Sequence, residues 1–179
     1  MLDEKRTILI VIDVQGNLAR VVIESEKRIN SIIRLIKGMQ ALHIPILLTT
    51  QVPQKIGSTI PEVAVLLADT KEIPRVSFSV MRTPEVIEAL KQSGRTQVVL
   101  CGFETHICLY QSSLDLLAAG YEVCLGVDVT SSRAEENKAV ALAELGAQGV
   151  HLVTAELMLF SLLKGADHSA FKTIASLIK

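Results

Sequence analysis

The chain has 179 residues, 49% hydrophobic and 21% charged, which is enough apolar material for a sizeable core and too much for a disordered chain. Its 18 basic and 19 acidic residues leave a formal charge of -1, and aromatics are only 3%, with no tryptophan. That balance argues against nucleic acid as a dominant partner and against a base-stacking platform.

In chain order, residues 7–13 form a nearly continuous aliphatic run ending in Asp13, as expected of a central strand covered on both faces. From Ser25, a fair N-cap, Ile29, Ile32, Ile33, Ile36 and Met39 fall at helical spacing. Residues 44–50 read as a second strand, 51–58 as a loop, and Pro61 opens a short helix to Ala68. Residues 75–80 read as a short third strand, and Thr83-Pro84-Glu85 starts a helix that Gly94 closes. A fourth strand follows at 97–101, a helix at 105–119 closed by Gly120, and a fifth strand at 121–127. Ser132-x-x-Glu135 is a capping-box pattern for a helix ending near Gly146. A sixth strand at 150–153 precedes helices from about Ala155 and about His168.

This alternation predicts right-handed βαβ units in one domain over residues 1–179: a three-layer α/β/α, Rossmann-like fold with six parallel strands and helices on both faces. No run approaches the roughly 20 apolar residues of a spanning helix, and the charged first residues do not resemble a signal peptide. Cys101, Cys108 and Cys124 are an odd set without CxxC spacing, so neither a disulfide framework nor a zinc site is indicated. A cytoplasmic, reducing setting without membrane is the expectation.

Ligands of open α/β sheets bind beyond the carboxyl ends of the strands, at the topological switch point. Asp13 ends the first strand, and Cys108 lies where the fourth strand enters a helix. If those strands are neighbours, the two side chains meet. A thiol near a helix N-terminus favours thiolate, a carboxylate with a raised pKa can take its proton, and turn amides can hold an oxyanion. The bland alternatives are a turn aspartate and a small core cysteine. His106 is two residues from Cys108 and does not face it on a helix, while His43, His151 and His168 lie in separate elements. Cys101 and Cys124 read as strand packing. Ser131, Ser132 and Arg133 follow the fifth strand, where capping is the simpler role. No GxGxxG or Walker loop supports nucleotide binding, and no cofactor is implied.

Six segments, IVIDVQ at 10–15, LLTTQ at 47–51, FS at 78–79, GFETHIC at 102–108, LDLLAAGY at 114–121 and VDVTSSR at 127–133, resemble the isochorismatase-like cysteine hydrolases. QVPQKIGSTIP at 51–61 is similar, more narrowly, to the eukaryotic isochorismatase domain-containing proteins and their protozoan relatives. The resemblance implies a Rossmann-like hydrolase with an Asp–Lys–Cys triad. Cys108 would be the nucleophile and Asp13 the base. A cis peptide would fall between Phe103 and Glu104, and amides around Thr105 and Cys108 would form the oxyanion hole. Small amides would be cleaved through a Cys108 thioester. Gln15 and Gln51, in the matching segments, are candidate pocket residues.

One departure matters. The family's lysine usually stands in a Lys-Phe-Ser segment, here Ser77-Phe78-Ser79. Arg75 would share a strand side with Ser77 and could replace the charge without exchanging protons. It would lie roughly 6.6 Å further from the strand end, so the balance of that geometry favours a site without the charge. Thr50 and Gln51 offer no Asp-x-His pattern, so no metal is expected. The expected partners are a small-molecule substrate and further copies of the chain. The alternative readings are a catalytically weak relative that binds a metabolite or protein, and a nuclease of the protozoan type.

Overall fold

The computed structural model describes residues 1–178; Lys179, the last residue of the expected domain, lies outside the described residues. Six strands form one parallel sheet: β1 (Thr7–Ile12), β2 (Ile46–Gln51), β3 (Glu72–Arg75), β4 (Gln97–Phe103), β5 (Glu122–Ser131) and β6 (His151–Val153), in the order β3-β2-β1-β4-β5-β6. The order reverses between β1 and β4, so the switch point lies between their carboxyl ends.

Every residue of β1 is buried because both faces of the sheet are covered. Leu9 and Val11 pack into one core with α2 (Ser25–Ala41), α8 (Ala155–Leu163) and α9 (Phe171–Ile178), where Ile32, Leu35, Leu159 and Ile174 meet them; α1 is Leu18–Val21, α3 Pro53–Ile56 and α4 Pro61–Ala64. Ile8, Ile10 and Ile12 point the other way, toward Leu90 of α5 (Pro84–Ser93), Leu116 of α6 (Tyr110–Ala118) and Leu145 of α7 (Glu135–Ala147). The result is the expected three-layer α/β/α arrangement. Among the described residues no helix is long and apolar enough to cross a membrane.

Several boundaries differ from the sequence reading. The third strand is Glu72–Arg75, not 75–80, and it lies at the sheet edge, where Pro74 costs no ladder bond on its open side. The chain turns out of the sheet after Arg75 and passes through a 3-10 turn at Val80–Arg82. Ser25 does not cap α2: it is the first helical residue, and its hydroxyl donates to the Ala19 carbonyl instead. The capping box at Ser132 does not form either, because α7 starts at Glu135 with extended Ala134 before it. β5 runs beyond 127 to Ser131 because an irregularity shifts its register on β4 and pairing resumes at Thr130. The helix expected over 105–119 begins as a π-helical turn, Thr105–Leu109. Within the expected 51–58 loop sits the short α3, opened by Pro53, and α1 lacks enough residues to carry a readable period.

Candidate functional site

Four strands deliver the candidate side chains to one place. β1 pairs with both β2 and β4, and Gln51 and Arg75 are register partners on β2 and β3. Asp13 follows β1 directly in the left-handed region (φ 53°), which aspartate tolerates better than most residues, and its N–H donates to the Thr49 carbonyl. β1 and β4 approach so closely at this end that a Cβ on Gly102 (φ 122°) would collide with the Ile12 carbonyl. Glycine is therefore needed there, one residue before the buried Phe103. The Phe103–Glu104 peptide bond is cis. Beyond it the π turn carries Cys108, which is 3% exposed.

Asp13 and Arg75 form an ion pair in which both side chains are fully buried: Arg75 Nη2 donates to Asp13 Oδ2. Arg75 Nη1 donates to the carbonyls of Ser77 and Phe78, the latter at 2.8 Å, so the loop after β3 folds around the guanidinium. Asp13 Oδ1 is buried without a hydrogen-bond partner, and the Cys108 thiol is close enough to perturb the carboxyl. The cation the sequence geometry disfavoured is thus present. Side-of-strand reasoning failed because the strand ends at Arg75, so the side chain turns inward at the sheet's carboxyl edge. Ser77 supplies no charge; it contributes its carbonyl to Arg75, and its hydroxyl donates to the Ser79 carbonyl.

The electrostatics follow from burial. Desolvation pushes the Asp13 carboxyl above its ordinary range, opposed by Arg75. The Cys108 thiol is pushed up to about 12, mainly by burial and then by the Asp13 charge, with Arg75 pulling it down. This reverses the thiolate expected from the helix end: desolvation outweighs the dipole. At rest the proton sits on sulfur.

The remaining expected residues frame this pair. Gln15 is fully buried; its Nε2 donates to the carbonyls of Gln51 (2.9 Å) and Gly57 (2.7 Å), and its Oε1 accepts from the Gln51 N–H (2.7 Å). Cys108 Sγ lies 3.9 Å from Gln51 Oε1, to which the thiol donates. Thr105 is buried, its hydroxyl 2.9 Å from that of Thr130, which in turn donates to the Gly102 carbonyl. Glu104 faces away, its Oε1 accepting from Arg133 N (3.1 Å) and Nε (3.0 Å). The Glu104 carbonyl occupies the amides of Ile107 and Leu109. Sequence reasoning missed two pairings, Glu104 with Arg133 and His106 Nδ1 with Ser132 Oγ at 2.9 Å. The signal was available: both join the turn after β4 to the end of β5, which neighbouring strands bring together. Cys101 and Cys124 lie in strands, and His43, His151 and His168 are not brought to the site. Among the described residues no group of three His, Cys, Asp or Glu side chains could hold a metal ion.

Comparison with known proteins gives a consistent picture. Residues 7–156 match the model of the isochorismatase domain family. The chain is 36% identical over 174 residues to mouse isochorismatase domain-containing protein 2B, covering 97% of this chain and 81% of that one. Among solved structures it is similar to the MAR1 ribonuclease of Caenorhabditis elegans (TM-score 0.94, 31% identity, 99% of this chain and 91% of that one). The Escherichia coli YcaC protein, described as an octameric hydrolase of unknown specificity, shares the fold (TM-score 0.92, 22% identity, 98% and 89% covered).

Proposed function

The chain belongs to the isochorismatase domain family, and from that premise we propose that it is a single-domain cysteine hydrolase of small amides or related metabolites. The observation that carries the reading is the buried Asp13–Arg75 pair, whose free oxygen Oδ1 is the unoccupied acceptor beside a buried thiol. Asp13 Oδ1 takes the Cys108 proton as Sγ bonds to the substrate carbonyl carbon. The amides of Thr105 and Cys108 hold the oxyanion. Asp13 then gives its proton to the leaving nitrogen, the C–N bond breaks, and a Cys108 thioester remains. Water attacks the thioester, Asp13 takes the water's proton, and the acid departs as the proton returns to sulfur. Arg75 stays charged throughout and opposes the rise that desolvation imposes on the Asp13 carboxyl; a guanidinium transfers no proton here.

The test is a panel of electrophilic small amides followed by intact mass. A thioester-sized adduct that is absent in Cys108→Ala supports the hydrolase. No adduct and no turnover favour a relative that only binds a metabolite or partner. The ribonuclease name of the nematode relative supports a second reading, tested by RNA cleavage that survives Cys108→Ala. The even charge balance and 3% aromatics weigh against it. We also propose that the chain self-associates, as the octameric fold relative does, and that its three free cysteines fit a reducing cytoplasm.

A further inference from the structure

Gln51 is held more firmly than a pocket wall needs. Gln15, itself fully buried, uses both ends of its carboxamide on the Gln51 N–H and carbonyl, so the residue's backbone is fixed on both sides. The Gln51 side chain is then oriented by its own bonds. Nε2 donates to the Val76 carbonyl at 3.3 Å, which leaves Oε1 as the end facing Cys108 Sγ. A carboxamide turned this way presents its acceptor end to the nucleophile.

We infer that Gln51 is a specificity-determining residue that selects substrates bearing an N–H on the attacked carbonyl carbon, such as primary amides and ureido or carbamoyl compounds. The inference rests on the hydrolase reading of Cys108. At rest the thiol proton satisfies Gln51 Oε1. Once that proton passes to Asp13, Oε1 faces an anionic sulfur and has lost its donor. A substrate NH2 replaces the donor; a methyl or an alkoxy group leaves the acceptor unpaired in a half-buried site, at a cost in rate of about tenfold. Gln15 acts through Gln51 as a positioning residue. A cavity of about 520 Å³ is bordered by Val52 and Pro53, which follow Gln51 in the chain, and by Pro74, Arg75, Val76 and Ser77.

The test compares 4-nitrophenyl carbamate, with NH2 on the attacked carbon, and 4-nitrophenyl acetate, with methyl there. Nitrophenolate release and intact mass follow acylation, and each rate is divided by that of free glutathione under the same conditions. The expected normalised carbamate-to-acetate ratio is about tenfold in the unaltered protein, falling close to one in Gln51→Met. Gln15→Met, which frees the Gln51 backbone, lowers the ratio without removing acylation. Acylation of Cys108 with a ratio near one in the unaltered protein overturns the role of Gln51 and leaves the nucleophile standing. Acylation that persists in Cys108→Ala overturns the nucleophile and this inference with it. The ratio in the unaltered protein decides even if Gln51→Met does not fold.

Discussion

Arg75→Met is the perturbation that most directly tests the electrostatic arrangement. Both partners of the Arg75–Asp13 pair are fully buried, so the substitution leaves a carboxylate with no water and no counter-ion. Breaking a buried pair in this way costs about 3–5 kcal/mol. The Ser77 and Phe78 carbonyls add little, because both residues are partly open to solvent and water can replace the guanidinium there. The protein can escape part of the penalty by protonating Asp13. Burial already raises that carboxyl while Arg75 opposes the rise, so removing Arg75 raises it further.

The sign of the pH dependence follows. A carboxyl raised in the folded state binds a proton that the unfolded chain, near its ordinary value of 3.8, releases. Stability therefore falls as pH rises through the interval between the two values. In Arg75→Met that interval reaches higher, so the variant's deficit grows with pH by up to about 1.4 kcal/mol per unit. It levels off at low pH, where Asp13 is protonated in both proteins. Urea unfolding between pH 5 and pH 8, at fixed protomer concentration, measures this. A deficit below about 1 kcal/mol at pH 8, or one that does not change with pH, would refute the buried-pair argument. In Asp13→Asn/Arg75→Met the pH dependence should vanish, and the loss should be smaller than the sum of the two single losses.

Three further outcomes are expected. With an activated amide, kcat/KM should rise with pH along a limb set by Asp13, above the ordinary carboxylate range, and Arg75→Lys should keep that limb near its original place while Arg75→Met moves it upward; steady-state profiles from pH 4 to 9 check this. Iodoacetamide mapped by mass spectrometry should label Cys108 before Cys101 and Cys124, and Asp13→Asn should slow Cys108 alone, since its thiol, pushed up to about 12, depends on a neighbouring base. Multi-angle scattering at micromolar concentration should give a mass above that of a 19.4 kDa monomer, with exposed Val140, Leu157 and Phe160 as the first positions at which charged substitutions should dissociate the assembly.

Apart from the edge strand β3, the sheet was legible because its strands announce themselves by composition. Ile8 to Ile12 is aliphatic on both faces, which only a strand buried on both sides tolerates, and Gly94, Gly120 and Pro84 punctuate the helices at positions that their backbone geometry requires. Once β1 and β4 are neighbours, the meeting of Asp13 with the Cys108 turn follows from topology. Helix caps were less legible: Ser25 and Ser132 have competing partners in Ala19 and His106, and those partners lie far away or around a turn.

Arg75 was the hardest residue to read, and the reason is instructive. Its role depends on where an edge strand stops, and four residues with a proline among them carry no period to mark that stop. Counting side chains along an assumed strand put the guanidinium on the wrong part of the fold. The register that matters is lateral: Gln51 opposite Arg75, and Thr49 opposite Ile12, line up the carboxyl ends of three strands. A cation needed at a switch point can therefore come from whichever neighbouring strand ends level with the acid. It need not occupy one fixed place in a motif. We propose that this chain's arginine stands in for the lysine that the resemblance implies, because buried Asp13 makes the electrostatic demand and Arg75 is the cation paired with it.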